Sequence, residues 1–152
     1  RDRLLASVAG PRTVERHAVS GPPDREADPA QSWKTWATDS VTQGVLLLGA
    51  DASGWEDTGF HGVQARRLFV DAAADRVTML VRMAAGSAYP PHVHAGPEEC
   101  FVLSGDLDVG GVTMTAGSYQ RVAAGSRHPV QSTKDGCLLL LVSSLHDELL
   151  TA

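Results

Sequence analysis

Two histidines spaced two apart, followed closely by a carboxylate, constrain this chain more than any other feature. The stretch Gly86 to Gly105 runs GSAYPPHVHAGPEECFVLSG. In an extended strand, His92 and His94 fall on one face. Glu98 follows after the short loop Ala95-Gly96-Pro97, within reach of the point at which both imidazoles aim. His128 lies in a second Gly-rich, turn-flanked stretch, Gly117 to Pro129. Three imidazoles and one carboxylate on neighbouring strands form a divalent-metal site, a donor set that suits Zn, Fe, Mn or Ni. A lone histidine usually does something else; the joint spacing raises the odds. Glu99 is the rival for the carboxylate role. The spacing to His94 and Gly105 favours Glu98.

The rest of the chain alternates short apolar runs with tight turns. Strands are expected at Val63 to Val70, Arg76 to Met83 and Tyr119 to Val122. Cys100 to Leu103 is expected to run to a turn at Ser104-Gly105-Asp106. Leu107 to Val109 and Val112 to Thr115 flank Gly110-Gly111 as a hairpin. His128 to Thr133 and Cys137 to Val142 read as a pair across Lys134-Asp135-Gly136, and His146 to Leu150 as a short terminal helix. Many short strands with Gly-rich turns indicate an all-β sandwich or barrel.

Towards the N-terminus the pattern changes. Residues 1–10 read as a helix with Leu4, Leu5 and Val8 on one face, ended by Gly10-Pro11. Residues 11–40 read as a linker broken by Gly21-Pro22-Pro23 and Asp28-Pro29. Within it, Trp33 and Trp36 form an apolar clip onto the barrel, which spans 41–152. The chain opens at Arg1 rather than Met, in keeping with a piece of a longer protein.

Composition removes several classes. At 152 residues the chain has the size of one domain with a single core. The net charge of −5, with no Lys/Arg cluster, argues against nucleic acid or an anionic membrane as direct partner. No apolar run approaches the roughly 18 residues of a membrane span. No signal peptide is visible. Cys100 and Cys137 form no CxxC, and a reducing cytoplasmic setting fits. If Glu98 points inward, strand alternation also turns Cys100 inward. It reads first as a small buried hydrophobe and second as an oxidant-sensing thiol. Tyr119, Met79, Met83 and Met114 read as core or cavity lining. His17, His61 and His146 read as surface residues, and Arg82 as part of a rim or an outer ion pair.

At these residues the chain resembles the cupins. Their first motif is Gly, five residues, His-x-His, three or four residues, Glu, six residues, Gly. Gly86, His92, His94, Glu98 and Gly105 meet it without a gap. In the second motif Gly117, Gly125 and His128 match, while Ala123 replaces a proline and Ser132 an asparagine. The resemblance implies a small jelly-roll β-barrel. It narrows to the C-terminal cupin domain of ChrR-type anti-sigma factors through GSAYPPHVHAGPEECFVLSGDL, AGSYQRVAAGSRH and GCLLLLVSSLHDELL, with RDRLLASV resembling the end of a sigma-binding domain. That likeness implies one zinc held by His92, His94, Glu98 and His128. It also implies an extracytoplasmic-function sigma factor as partner and a role in transcription regulation under oxidative stress. The His-x3-Cys-x2-Cys motif of the family's N-terminal zinc site has no counterpart here. Two other readings stand beside this one. The first is a non-haem iron dioxygenase cleaving a diketone or aromatic ketone. The second is a small-molecule-binding or oligomerisation module with a structural metal, paired as a homodimer.

Overall fold

The computed structural model describes residues 46, 48–50 and 54–150. The helix expected over 1–10, the linker over 11–40 and the Trp33/Trp36 clip lie outside them. The described residues form twelve β-strands. In order these are β1 (Glu56–Asp57), β2 (Val63–Asp71), β3 (Arg76–Met83), β4 (Ala88–Tyr89), β5 (His92–Val93) and β6 (Glu98–Val109), then β7 (Val112–Thr115), β8 (Tyr119–Val122), β9 (Arg127–His128), β10 (Gln131–Ser132), β11 (Cys137–Ser143) and β12 (Glu148–Leu149). Nine of them join one curled sheet in the order β1-β2-β3-β11-β6-β10-β4, with β7 and β8 also on β6; β12, β5 and β9 make a smaller sheet. The expected all-β cupin barrel is the fold.

Alternation builds the core. On β3 the inward residues are Val77, Met79, Val81 and Met83, all buried, while the residues between them are half-buried or exposed. On β6 the same rule buries Glu98, Cys100 and Val102, and on β11 it buries Cys137, Leu139 and Ser143. The β-branched and apolar inward set on β2, β3, β6 and β11 closes over one core with Leu107, Met114 and Leu145.

Strand β6 organises the barrel. Its first half pairs with β8 on one side and β11 on the other; its second half pairs with β7 and β10. The turn expected at Ser104-Gly105-Asp106 is therefore a bend within one strand. Gly105 has φ +79°, and a Cβ there would lie 1.9 Å from the Gly136 carbonyl oxygen. Only glycine allows both the left-handed backbone and that approach. The ladder with β11 slips at the same level, between Leu138 and Leu139.

Two further expectations are corrected. The segments around 131 and 137 do not pair with each other. Both run antiparallel to β6, Gln131 and Ser132 opposite Val109 and Asp108, and Cys137 opposite Gly105. What looked like a hairpin turn is a bulge between them, held by Asp106. Its carboxylate accepts hydrogen bonds from the Thr133 hydroxyl and from the backbone N–H groups of Lys134 and Asp135, at 3.1, 2.9 and 2.8 Å. These contacts hold the Asp106 carboxyl below its ordinary range, the two backbone donors foremost. The terminal helix is also absent. Glu148–Leu149 is β12, pairing with β5 so that Leu149 faces His92. A two-residue strand is stable there because the Leu150 N–H extends the pairing to the Pro91 carbonyl, at 2.8 Å.

Candidate metal centre

The smaller sheet places the histidines. His92 on β5 is the direct cross-strand partner of His128 on β9. His94 follows two residues after His92 and returns to the same face. Its backbone N–H donates to Ser126 and its carbonyl accepts from Gly125, which ties it to the turn before β9. The three rings pack edge to face. Centroids lie 4.7 Å apart for His92–His94, 5.2 Å for His92–His128 and 4.7 Å for His94–His128. All three side chains are buried, and one nitrogen from each falls within 4.8 Å of the others.

Hydrogen bonding sets the chemical form of the imidazoles. Nδ1 of His92 lies 3.0 Å from the Pro90 carbonyl, which can only accept, so Nδ1 carries the proton and Nε2 keeps its lone pair. Both ring nitrogens of His128 meet a glutamine amide, Gln131 at 2.9 Å from Nδ1 and Gln120 at 3.1 Å from Nε2. Both contacts are made by the glutamine amide nitrogen, and a neutral imidazole accepts such a bond at one of its two nitrogens. Burial pushes His128 down to about 4, helped by the neighbouring His92 and opposed by Asp147. It is therefore neutral at pH 7, the form that ligates metals.

The carboxylates approach through His94. Glu98 opens β6, points inward as its spacing suggested, and places Oε2 4.0 Å from His94 Nδ1. Glu99 is half-buried and stands opposite Arg121 on β8. A second buried carboxylate, Asp147, places Oδ2 3.9 Å from the same Nδ1. Its Oδ1 accepts the Ala95 N–H and its Oδ2 the Ser143 hydroxyl, each at 3.0 Å. The donors thus form two overlapping groups that share His94: His92, His94 and His128 in one, His94, Glu98 and Asp147 in the other. Asp147 was not visible in the sequence. No short-range spacing links it to His94, and only closure of the barrel brings it there.

Three imidazoles with carboxylates beside them fit a divalent first-row metal ion. A small cavity of about 50 Å³ adjoins them. Its walls include His92, Glu98 and Asp147 on the polar side and Met79, Met83, Tyr89, Cys100, Leu107 and Leu139 on the apolar side. Cys100 does turn inward with Glu98, and its thiol is pushed up to about 12, first by burial and then by Glu98 and Cys137. Cys137 is raised to about 11, also chiefly by burial.

Met79 and Met83 line the cavity, and Met114 sits in the core. Tyr119 lines nothing inside; it is 57% exposed, on the outer face opposite Phe101. Arg82 is also outside, stacked 4.3 Å over the Trp55 ring and donating to Gln64. His61 is exposed, whereas His146 is half-buried against Asp75, 2.6 Å away. His17 lies outside the described residues.

A curled all-β sheet with a buried histidine cluster at one end is a cupin. More narrowly, the chain belongs to the ChrR cupin-like domain family, whose sequence model matches residues 43–145. Among solved structures, the fold is similar to an acetylacetone dioxygenase from Acinetobacter johnsonii, at 20% identity over 72% of this chain and 79% of that one, with TM-score 0.61. It is also similar to the complex of Rhodobacter sphaeroides SigE with the anti-sigma ChrR, at 23% identity, 62% and 49% coverage and TM-score 0.53. The polyketide cyclase RemF from Streptomyces resistomycificus matches at 18% identity, 76% and 87% coverage and TM-score 0.51. At these identities the likeness speaks for the fold, which hosts several chemistries. No curated protein matches the sequence. Among the described residues no helix is long and apolar enough to cross a membrane.

Proposed function

We propose that this chain is the metal-binding sensor domain of a ChrR-like anti-sigma factor. In this reading it acts in the cytoplasm with an extracytoplasmic-function sigma factor as partner and regulates transcription under oxidative stress. His92, His94, Glu98 and His128 hold one zinc ion. When bound, zinc supplies a positive centre that crosslinks the smaller sheet to the start of β6, while the chain's own residues fix the imidazoles. The single observation that carries the reading is the family match over 43–145, which spans all four ligands. The size of the cavity favours regulation over turnover. About 50 Å³ is room for a few water molecules, whereas small-molecule sites run to roughly 300–1,000 Å³.

The alternative is a stand-alone iron dioxygenase acting on a diketone or aromatic ketone. The largely apolar cavity wall beside the imidazoles favours it. Metal analysis of protein purified without added metal, followed by electron paramagnetic resonance after nitric oxide, separates the two. One zinc per chain and no nitrosyl signal is the expected result. One iron with a nitrosyl signal overturns the sensor reading in favour of the dioxygenase. His92→Ala and His128→Ala should each lose the metal; full metal content in both variants would refute the ligand assignment.

A further inference from the structure

Asp147 belongs to neither cupin motif, yet it is 2% exposed and sits at the heart of the site. A carboxylate is costly to bury without strong partners. Asp147 accepts from donors that tie together separate parts of the fold. Ala95, which gives its N–H to Oδ1, lies in the loop between His94 and Glu98. Ser143, which gives its hydroxyl to Oδ2, is the last residue of β11. The Oδ2 atom then faces Nδ1 of His94 at 3.9 Å. The loop from His94 to Glu98 is thus tied to the end of β11, and the tie places negative charge beside the one imidazole shared by both donor groups, near the same Nδ1 that Glu98 approaches.

Resting on the metal-binding reading above, we propose that Asp147 is a positioning residue of this centre. It fastens the loop between His94 and Glu98 and places negative charge beside the His94 ring, without itself ligating the metal. Carboxylates behind metal-bound histidines fix the ring and raise its basicity, and their loss typically lowers metal affinity 10- to 100-fold. The Ala95 N–H and the Ser143 hydroxyl engage both Asp147 oxygens, so the carboxylate is held in place by the chain itself.

The test uses the full chain, cobalt(II) as spectroscopic probe and a competing chelator to measure affinity. Asp147→Asn keeps an oxygen for the Ala95 N–H but removes the charge, so the metal-free variant should melt close to the wild type. The expected result is a roughly 10- to 100-fold weaker cobalt affinity with absorption bands at unchanged wavelengths. Shifted bands in Asp147→Asn would overturn the proposal by showing that Asp147 is itself a ligand. Unchanged affinity in both Asp147→Asn and Ser143→Ala would overturn it by reducing Asp147 to a loop fastener. Wild-type protein that takes up neither cobalt nor zinc would overturn the metal reading and the proposal together. Uptake by the wild type with an indifferent Asp147→Asn would overturn the proposal alone.

Discussion

Replacing Gly105 by alanine tests the bend in β6 directly. The new methyl carbon would lie 1.9 Å from the Gly136 oxygen and 2.8 Å from the Cys137 Cα. Both are backbone atoms, so no side chain can swing away. An ordinary carbon contact is about 3.5 Å, so β6 and β11 must separate by more than about 1.5 Å at this level. The left-handed backbone alone costs an alanine ~1–2 kcal/mol. Forcing packed strands apart adds ~1–3 kcal/mol. Gly111→Ala isolates the first contribution, because its φ is +89° and nothing lies within 4 Å of the added carbon. At about 2–4 °C per kcal/mol for a chain of about 150 residues, Gly111→Ala should melt roughly 2–8 °C below wild type. Gly105→Ala should melt lower by a further several degrees at least, or fail to fold. Chemical denaturation with equal slopes would confirm that both act on the same unfolding reaction. Melting temperatures within about 2 °C of each other would refute the close approach of β6 to Gly136.

Other expectations follow from single groups. The folded-state carboxyl of Asp106 is held below its ordinary value. Its stabilisation is therefore complete above the ordinary aspartate range near pH 4 and lost as pH falls through the lowered folded value. Asp106→Asn should weaken the protein at pH 7 and flatten the acid limb of its stability profile; an unchanged limb would argue that the bulge at 133–136 is held by other contacts. Cys100 is 2% exposed and should resist a thiol reagent until the barrel unfolds. Rapid labelling of the folded protein would restore the oxidant-sensing role for this thiol.

The parts of the site that lie on one strand and its neighbour were legible, and those assembled by closure were not. His92 and His94 needed only the two-residue period of an extended chain, and Glu98 only a short loop. The strands Arg76 to Met83 and Tyr119 to Val122 declared themselves by strand-forming residues between tight turns. Glycine misled at Gly105, where the same residue type that ends strands permits one strand to bend under another. The bulge at 133–136 carries the composition of a hairpin turn. What keeps it open is Asp106, a residue from a different strand. Asp147 sits in a stretch whose local pattern suggested a helix, because a two-residue strand leaves no periodicity to read. Its value lies in contacts to Ala95 and Ser143, and no window of sequence holds all three in view of His94.

The last strand touches the first histidine. Leu149 pairs with His92, and the Leu150 N–H reaches the Pro91 carbonyl, so β12 and the imidazole of His92 are carried on adjoining backbone. Any ligand held by His92 would sit one strand pairing away from residues 148–150. A ligand that binds more tightly when β12 is docked strengthens that docking by the same factor, and anything that peels β12 away weakens the ligand in equal measure.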